Sequence, residues 1–96
     1  MKFIVFMEWK PEEVGKVIEK YSEAMAKMKE HPARFPKTIF GPFTMGGEPK
    51  GFSVVEIDNP DQIPNSVFLY LPLITMKYVP INESAGVIEI SAQMKK

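Results

Sequence analysis

The chain has 96 residues, of which 45% are hydrophobic and 25% are charged. We expect residues 1–96 to form one folded domain, since this length is too short for two and the composition is not that of a disordered segment. Lys+Arg and Asp+Glu both number 12, so the formal net charge is zero, which argues against a DNA or RNA partner. The absence of cysteine excludes disulfides, thiolate nucleophiles and zinc–thiolate sites.

Neither long apolar segment predicts a signal peptide or a membrane span. The amino-terminal run is interrupted by Glu8, and no small-residue cleavage site follows it. The run from Val67 to Met76 contains Pro72 and Thr75, and it is shorter than the roughly 20 residues that a spanning helix needs. We therefore expect a cytoplasmic protein that does not act at a membrane.

Residues 2–9 predict a central β-strand, because both of its faces are apolar. The alternating positions are Phe3, Val5, Met7 and Trp9 on one face, and Ile4 and Phe6 on the other. A helix is predicted next, with Pro11 in its first turn and its end at His31-Pro32, since proline disfavours a helical residue before it. Its apolar stripe has helical spacing and consists of Val14, Val17, Ile18, Tyr21, Met25 and Met28.

A hairpin is predicted next. Its arms are residues 38–44 and residues 51–57, and the Gly/Pro-rich segment 45–50 separates them. Pro42 would remove a ladder hydrogen bond from a central strand, so we place the first arm at a sheet edge. The second arm is rich in β-branched residues and is expected inside the sheet.

The remaining sequence predicts a helix, a strand and an ambiguous tail. Asn59, followed by proline, is a helix start, and the regular helix is expected over residues 64–71. Its apolar side is Ile63, Val67, Phe68 and Leu71. Residues 74–79 predict a fourth strand that Pro80 ends. Residues 83–94 fit either a strand or a helix. We favour a helix because Ala85, Ile88 and Ala92 stack one helical turn apart.

The predicted order β-α-β-β-α-β is that of an α+β, ferredoxin-like fold. Two helices can cover only one face of a four-stranded sheet. In this chain both faces are apolar, since Phe52 and Val54 point away from Val55 and Ile57. An uncovered apolar face of roughly several hundred Å² is unusual for a monomer. We therefore predict a homodimer through the sheet face.

Four short segments carry a resemblance to a known superfamily. They are Phe35-Pro36, the Gly-Gly-Glu-Pro-Lys-Gly-Phe run at 46–52, residues 56–60 and residues 76–81. In these segments and in element order the chain resembles the uncharacterised small domains of the dimeric α/β-barrel superfamily. The resemblance implies a ferredoxin-like domain with a C-terminal helix, paired into a dimeric α/β barrel. That superfamily contains cofactor-independent monooxygenases, isomerases, haem enzymes and ligand-sensing domains, so the resemblance leaves the reaction open.

Two residues are candidates for proton transfer. Glu56 shares a predicted strand face with Phe52 and Val54, where an apolar environment would raise the pKa of its carboxyl and suit it to acid–base catalysis. The alternatives are a glutamate at the strand end that reaches solvent, or a structural ion pair with Lys77 or Arg34. His31 is the only histidine; a catalytic base would need a partner carboxylate or a cleft, and its place at a helix end is explained without function by an interaction with the helix dipole and the exposed carbonyls. We expect no metal and no cofactor, because one histidine without cysteine offers too few ligands.

Several aromatic residues could line a pocket for a small apolar or aromatic molecule. Together with Glu56, the candidate ligand-binding residues are Trp9, Tyr21, Phe52, Tyr70 and Tyr78. Packing in the core or at a dimer interface is the alternative for all of them. Three hypotheses follow: a ligand-binding module, a cofactor-independent enzyme that uses Glu56 or a tyrosine, and a dimer with a structural or interaction role.

Overall fold

The computed structural model describes residues 1–82 and 84–94, and it has the predicted α+β class. The strands are β1 (Lys2–Glu8), β2 (Lys37–Thr44), β3 (Lys50–Glu56) and β4 (Thr75–Ile81). The helices are α1 (Val14–Glu30), α2 (Gln62–Tyr70) and α3 (Ser84–Met94). Short 3₁₀ turns at Pro11–Glu13 and Pro32–Arg34 flank α1. The predicted helix in the tail is therefore confirmed over α3, while Glu83 lies outside the described residues.

The four strands form one antiparallel sheet in the order β2-β3-β1-β4. The predictions that β1 and β3 are inner strands and that β2 is an edge strand are confirmed. In the register, Val5 is opposite Ser53 of β3 on one side and opposite Tyr78 of β4 on the other. Because side chains alternate along a strand, these three residues share one face of the sheet.

The edge strand β2 is irregular around Gly41. Its register with β3 shifts between Thr38 and Phe40 and again between Phe40 and Phe43. Gly41 has a φ of 91°, a conformation that L-residues with a side chain rarely adopt. Close to this point β2 approaches Gly51, where an added Cβ would lie 2.7 Å from the Phe43 carbonyl oxygen.

The core lies between one face of the sheet, which we call the covered face, and the helices α1 and α2. Its buried members are Val5, Met7, Val55 and Ile57 from or next to the inner strands, Val17 and Ala24 from α1, and Tyr70 and Ile74 from α2 and the turn after it. Val5 is only 1% exposed, which is what burial of an inner strand beneath two helices produces.

The opposite face of the sheet is apolar and is not covered by α1 or α2. We call it the open face, and its side chains are Ile4, Phe6, Phe40, Phe43, Phe52 and Val54. Ring centroids are 4.8 Å apart for Phe40 and Phe43, and 5.5 Å apart for Phe43 and Phe52. The sequence prediction of two apolar faces is thus confirmed for the inner strands.

The second helix and the fourth strand differ most from their predicted boundaries. The second helix begins at Gln62, two residues before Pro64, because proline in the first turn removes an N–H that has no helical partner there. The fourth strand begins at Thr75 and continues to Ile81 through Pro80, which is opposite Phe3. β4 is an edge strand, where a missing N–H can face solvent.

The buried side of α2 also differs from the prediction. The residues it buries are Gln62, Ser66 and Tyr70, whereas Phe68 is 74% exposed. Gln62 fixes this rotation of the helix, since its Oε1 accepts bonds from the Asp58 and Asn59 amides and its Nε2 donates to the Ala33 carbonyl. The predicted apolar side of this helix is therefore wrong at Phe68. It is also wrong at Leu71, which is exposed as well.

Candidate functional site

A cavity of about 190 Å³ lies between the covered face and the helices α1 and α2. We call it the tyrosine cavity after its hydroxyl-bearing lining, which includes Tyr21, Tyr70, Tyr78, Ser53 and Ser66. The rest of its wall is mainly apolar and includes Val5, Met7, Met25, Met28, Val55 and Met76. The cavity thus combines a hydrophobic surface with a small number of hydroxyl groups, as ligand pockets commonly do.

The hydroxyl groups converge because three elements present them from different directions. Ser66 and Tyr70 are four residues apart on α2 and face the sheet together. Tyr78 comes from β4, and Ser53, from β3, shares its face of the sheet. Tyr21 comes from α1, and its ring centroid is 6.4 Å from that of Tyr70.

One pair of these hydroxyl groups is already bonded. The Ser66 and Tyr78 hydroxyls form a hydrogen bond with each other, and Ser66 Oγ also donates to the Met76 sulfur at 3.8 Å. Ser66 is 2% exposed, so its bond lies in the interior of the cavity wall. Because Ser66 donates its one hydroxyl hydrogen to Met76, Tyr78 donates to Ser66, and the pair has no hydrogen left to donate to an additional molecule.

Tyr70 and Ser53 are different, since their hydroxyls bond to no other residue in the part of the chain that the structure describes. Both residues are buried, Tyr70 with only 4% of its surface exposed. No enclosed side-chain nitrogen or oxygen of the described residues lacks a partner, so these two oxygens keep accessible surface although their residues are buried. Because both residues line the cavity, their hydroxyls can bond to a molecule inside it.

The Tyr70 and Tyr78 phenols of the cavity remain protonated at neutral pH. Burial, followed by the proximity of the Tyr21 and Tyr78 phenols, raises the pKa of Tyr70 well above its ordinary value. Burial also raises the pKa of Tyr78, although its hydrogen bond with Ser66 acts in the opposite direction. These two phenols therefore carry a hydrogen that they can donate, and both are poor bases. No carboxylate, ammonium, guanidinium or imidazole group lines the cavity among the described residues.

A second depression adjoins the tyrosine cavity and leads to the surface between α1 and β2. We call it the outer groove. It has a volume of about 490 Å³ and shares Met7, Tyr21 and Pro42 with the cavity. Its wall also contains Trp9 and Ile18. A molecule in the cavity could therefore extend a substituent along α1 toward solvent.

The predicted ligand-binding residues divide into three groups. Tyr21, Tyr70 and Tyr78 come together in the tyrosine cavity. Trp9 lines the outer groove. Phe52 is on the open face, on the other side of the sheet from the cavity, and the structure does not bring it to the other aromatic residues of the set.

Glu56 is also on the open-face side of β3, and the prediction of a raised pKa is wrong. Its Oε1 accepts a hydrogen bond from the Met1 ammonium group at 2.8 Å, and the side chain is 40% exposed. This hydrogen bond, with the charges of Met1 and Lys2, outweighs desolvation and lowers the pKa of the carboxyl. Neither Lys77 nor Arg34 is the partner that the structure shows.

His31 is at the end of α1, as its helix-terminal interpretation predicts. Its backbone N–H donates to the Lys27 carbonyl at 3.0 Å, and the residue is exposed. It borders a shallow surface depression with Lys27, Arg34 and Phe68. The structure therefore places His31 outside the tyrosine cavity and apart from Glu56.

The sequence reasoning missed Ser53 and Ser66 of the cavity wall. Two signals for them were available in the sequence: a serine within an inner strand, and a serine one helical turn before a tyrosine. Each marks a polar side chain that faces a core and therefore needs a partner. Among the described residues, no group of three or more His, Cys, Asp and Glu side chains is arranged to hold a metal ion. No helix in the described ranges is long and apolar enough to cross a membrane.

These features define the class of the protein. It is an α+β chain with one covered sheet face, one open sheet face and a hydroxyl-lined cavity. The chain belongs to the family described as Domain of unknown function (DUF3303), whose sequence model matches residues 1–95. A comparison with curated proteins finds no match.

Proposed function

We propose that this protein is a homodimer that binds a small, neutral, mainly aromatic molecule in the tyrosine cavity of each copy. The observation that carries the proposal is the pair of accessible hydroxyl groups on two buried residues, Tyr70 and Ser53, which line a mainly apolar cavity and form no bond to another described residue. A ligand with a polar atom would satisfy them and bury its apolar part against the methionines of the wall.

The volume of the cavity sets the size of the ligand. A cavity of about 150 Å³ is large enough for benzene, and the tyrosine cavity measures about 190 Å³. One six-membered ring with a substituent of two or three heavy atoms fits this space. Larger substituents would have to enter the outer groove, which continues past Tyr21.

The chemistry of the lining sets the polarity of the ligand. A charged ligand would lose its hydration without gaining a counter-charge, because no charged group lines the cavity among the described residues. The protonated phenol of Tyr70 offers a donor, so the polar atom of the ligand should be an acceptor. Aromatic ketones, aldehydes and esters meet both conditions.

The homodimer is supported by the open face. The element order and the strand order β2-β3-β1-β4 are consistent with the ferredoxin-like, split βαβ arrangement. In this arrangement both helices that follow inner strands cover the same face of the sheet. Stacking two open faces would bury Phe6, Phe52 and Val54 of both copies, and would complete a dimeric α/β barrel.

A cofactor-independent enzyme is less well supported than a binding module. Glu56, the carboxylate considered for proton transfer, is on the open-face side of the sheet. The raised pKa of Tyr70 makes its phenol a weak acid at neutral pH, and the cavity wall offers no base to work with it. Tyr70 therefore acts as a hydrogen-bond donor to a bound molecule in this proposal.

Isothermal titration calorimetry with acetophenone and benzoate tests the proposal. Acetophenone has one ring and a neutral acceptor, whereas benzoate has a similar size and a charge. We expect binding of acetophenone and at least tenfold weaker binding of benzoate. Removal of one hydrogen bond in Tyr70→Phe or Ser53→Ala should weaken acetophenone binding roughly threefold to tenfold.

Ser84→Ala is the matched control, because it removes an exposed hydroxyl of α3 that does not line the cavity. Its affinity for acetophenone should equal that of the wild type. Equal binding of benzoate and acetophenone, or an unchanged affinity in both cavity variants, would contradict the proposed site.

A further inference from the structure

The hydrogen bonds in the wall of the tyrosine cavity have a direction, and that direction starts at Met76. A thioether sulfur has lone pairs and no hydrogen, so it can only accept. Ser66 Oγ lies 3.8 Å from the Met76 sulfur and is also bonded to the Tyr78 hydroxyl. Because Ser66 has one hydroxyl hydrogen, only one arrangement makes both contacts hydrogen bonds: Ser66 donates to the sulfur, and Tyr78 donates to Ser66.

The Tyr78 oxygen therefore offers the cavity lone pairs and no hydrogen. Its single hydrogen is committed to Ser66, and no other residue in the part of the chain that the structure describes donates to it. A hydroxyl that donates a hydrogen bond is polarised and becomes a better acceptor. Because Tyr78 lines the cavity, its oxygen is an acceptor site for a molecule inside it.

The packing around these residues keeps the arrangement in place. Ser66 is 2% exposed, and Gln62, one turn earlier on α2, fixes the rotation that turns it toward the sheet. The Tyr78 ring meets the ring of Phe3 edge to face, with centroids 6.1 Å apart. Reversing the bonds would leave the Met76 sulfur without a hydrogen and turn the Tyr78 hydrogen into the mainly apolar cavity.

Tyr70 and Ser53 do not have this restriction. Their hydroxyls bond to no other described residue, so each can donate or accept. Tyr70 comes from α2 and Tyr78 from β4, which puts the two phenols at different places in the wall. A ligand whose carbonyl accepts from Tyr70 therefore meets an oxygen at Tyr78 that can only accept.

We infer that the ligand of the tyrosine cavity is a neutral hydroxyaryl carbonyl compound, whose hydroxyl donates to Tyr78 while its carbonyl accepts from Tyr70. The inference rests on the proposed binding of an aromatic carbonyl compound and narrows its chemical class. Met76 becomes a positioning residue, because its sulfur fixes the direction of the Ser66–Tyr78 bond. An ether oxygen or a second carbonyl at this place would set two acceptors against each other and weaken binding.

Ligand pairs that differ in one hydrogen-bond donor test the inference. We use para-hydroxyacetophenone with para-methoxyacetophenone, and the corresponding meta pair, in calorimetric titrations at about pH 6, where a phenol with an ordinary pKa of roughly 10 is neutral. In at least one pair, the hydroxyl compound should bind the wild type at least fivefold more tightly than the methoxy compound. ortho-Hydroxyacetophenone, whose hydroxyl is bonded to its own carbonyl, should bind no more tightly than acetophenone.

The ratio of the two dissociation constants separates the direction of the bond from the size of the methoxy group, since the size difference is the same in every variant. Met76→Leu removes the acceptor of the Ser66 hydrogen at similar volume. Ser66 can then donate to Tyr78, and Tyr78 to a methoxy oxygen, so the ratio should fall at least threefold. Met28→Leu makes the same substitution elsewhere in the wall, at a side chain that accepts no hydrogen bond from a described residue, and any change should affect both compounds equally.

Acetophenone itself separates failure of the inference from failure of the proposed site. If acetophenone binds, but both pairs bind without a hydroxyl preference or Met76→Leu keeps the wild-type ratio, the inference is overturned and the proposed site stands. If neither acetophenone nor a hydroxyl compound binds, both are overturned. As a second readout, Tyr78→Phe should lose at least threefold more affinity for the preferred hydroxyl compound than for acetophenone, and an equal loss would also overturn the inference.

Discussion

Replacement of valine by lysine on the two faces of the sheet should have two different consequences. Val5 is 1% exposed on the covered face, and Val54 is half-buried on the open face. They belong to neighbouring inner strands of the same sheet. The comparison of Val5→Lys with Val54→Lys therefore holds the substitution constant and changes only the surface that surrounds it.

The expected magnitudes follow from burial. Val5→Lys forfeits roughly 1.5–3 kcal/mol of apolar burial and buries an ammonium group at a cost of several kcal/mol. This total is comparable with the whole free energy of unfolding of a small domain, about 5–15 kcal/mol, so Val5→Lys should not fold. In the separate chain, the lysine of Val54→Lys can extend its ammonium to solvent, and the cost to folding should stay within about 1 kcal/mol.

In the dimer, Val54→Lys places a buried ammonium on each of the two stacked faces. A cost of several kcal/mol weakens association by at least about a hundredfold, since each 1.4 kcal/mol is about tenfold. Light scattering should give twice the 10.9 kDa chain mass for the wild type and the single mass for Val54→Lys, while circular dichroism shows the same secondary structure for both. A Val54→Lys protein that remains dimeric at low micromolar concentration would refute the sheet-face interface.

Three further predictions concern single side chains. The raised pKa of Tyr70 means that folding favours the neutral phenol, so the stabilisation should be full below the ordinary pKa of 10.0 and fall as the pH rises beyond it. Tyr70→Phe should therefore make the melting temperature less dependent on pH between about pH 9 and 11.5. An unchanged dependence would count against the burial of this phenol. The lowered pKa of Glu56 means that its carboxylate stabilises the fold above the ordinary pKa and loses this effect as the pH falls through the lowered value. Glu56→Gln should therefore melt slightly below the wild type at pH 7 and together with it near pH 2, whereas a more stable variant would restore the acid–base hypothesis. Gly51→Ala should lower the free energy of unfolding by about 1–3 kcal/mol, because its Cβ would lie 2.7 Å from a β2 carbonyl oxygen. Gly46→Ala, which has no atom within 4 Å of the added group, is the control in the same urea titration.

Periodicity predicts the architecture of this chain well. The doubly apolar strand at residues 2–9, the helical stripe after Pro11 and the edge position of the strand with Pro42 all follow from local rules, and the structure agrees with each. These features depend on residues within one element, where spacing alone decides which face a side chain occupies.

The site was less predictable, because it depends on contacts between distant residues. The rotation of α2 is set by the bonds of Gln62 to Ala33 and to the preceding turn, and these bonds turn Ser66 and Tyr70 toward the sheet although Phe68 is more apolar. Glu56 was assigned to the correct strand face. Its partner, the Met1 ammonium, is 55 positions away in the chain, and no local pattern signals such a contact.

The position of a bound ligand can be tested directly with the methionine methyl groups. The chain has seven methionines, of which Met7, Met25, Met28 and Met76 line the tyrosine cavity, while Met1, Met45 and Met94 do not. In protein labelled with carbon-13 at these methyls, titration with acetophenone should shift the first four signals and leave the other three unchanged. Shifts confined to the signals outside the cavity, or no shift at millimolar acetophenone, would contradict ligand binding in the tyrosine cavity.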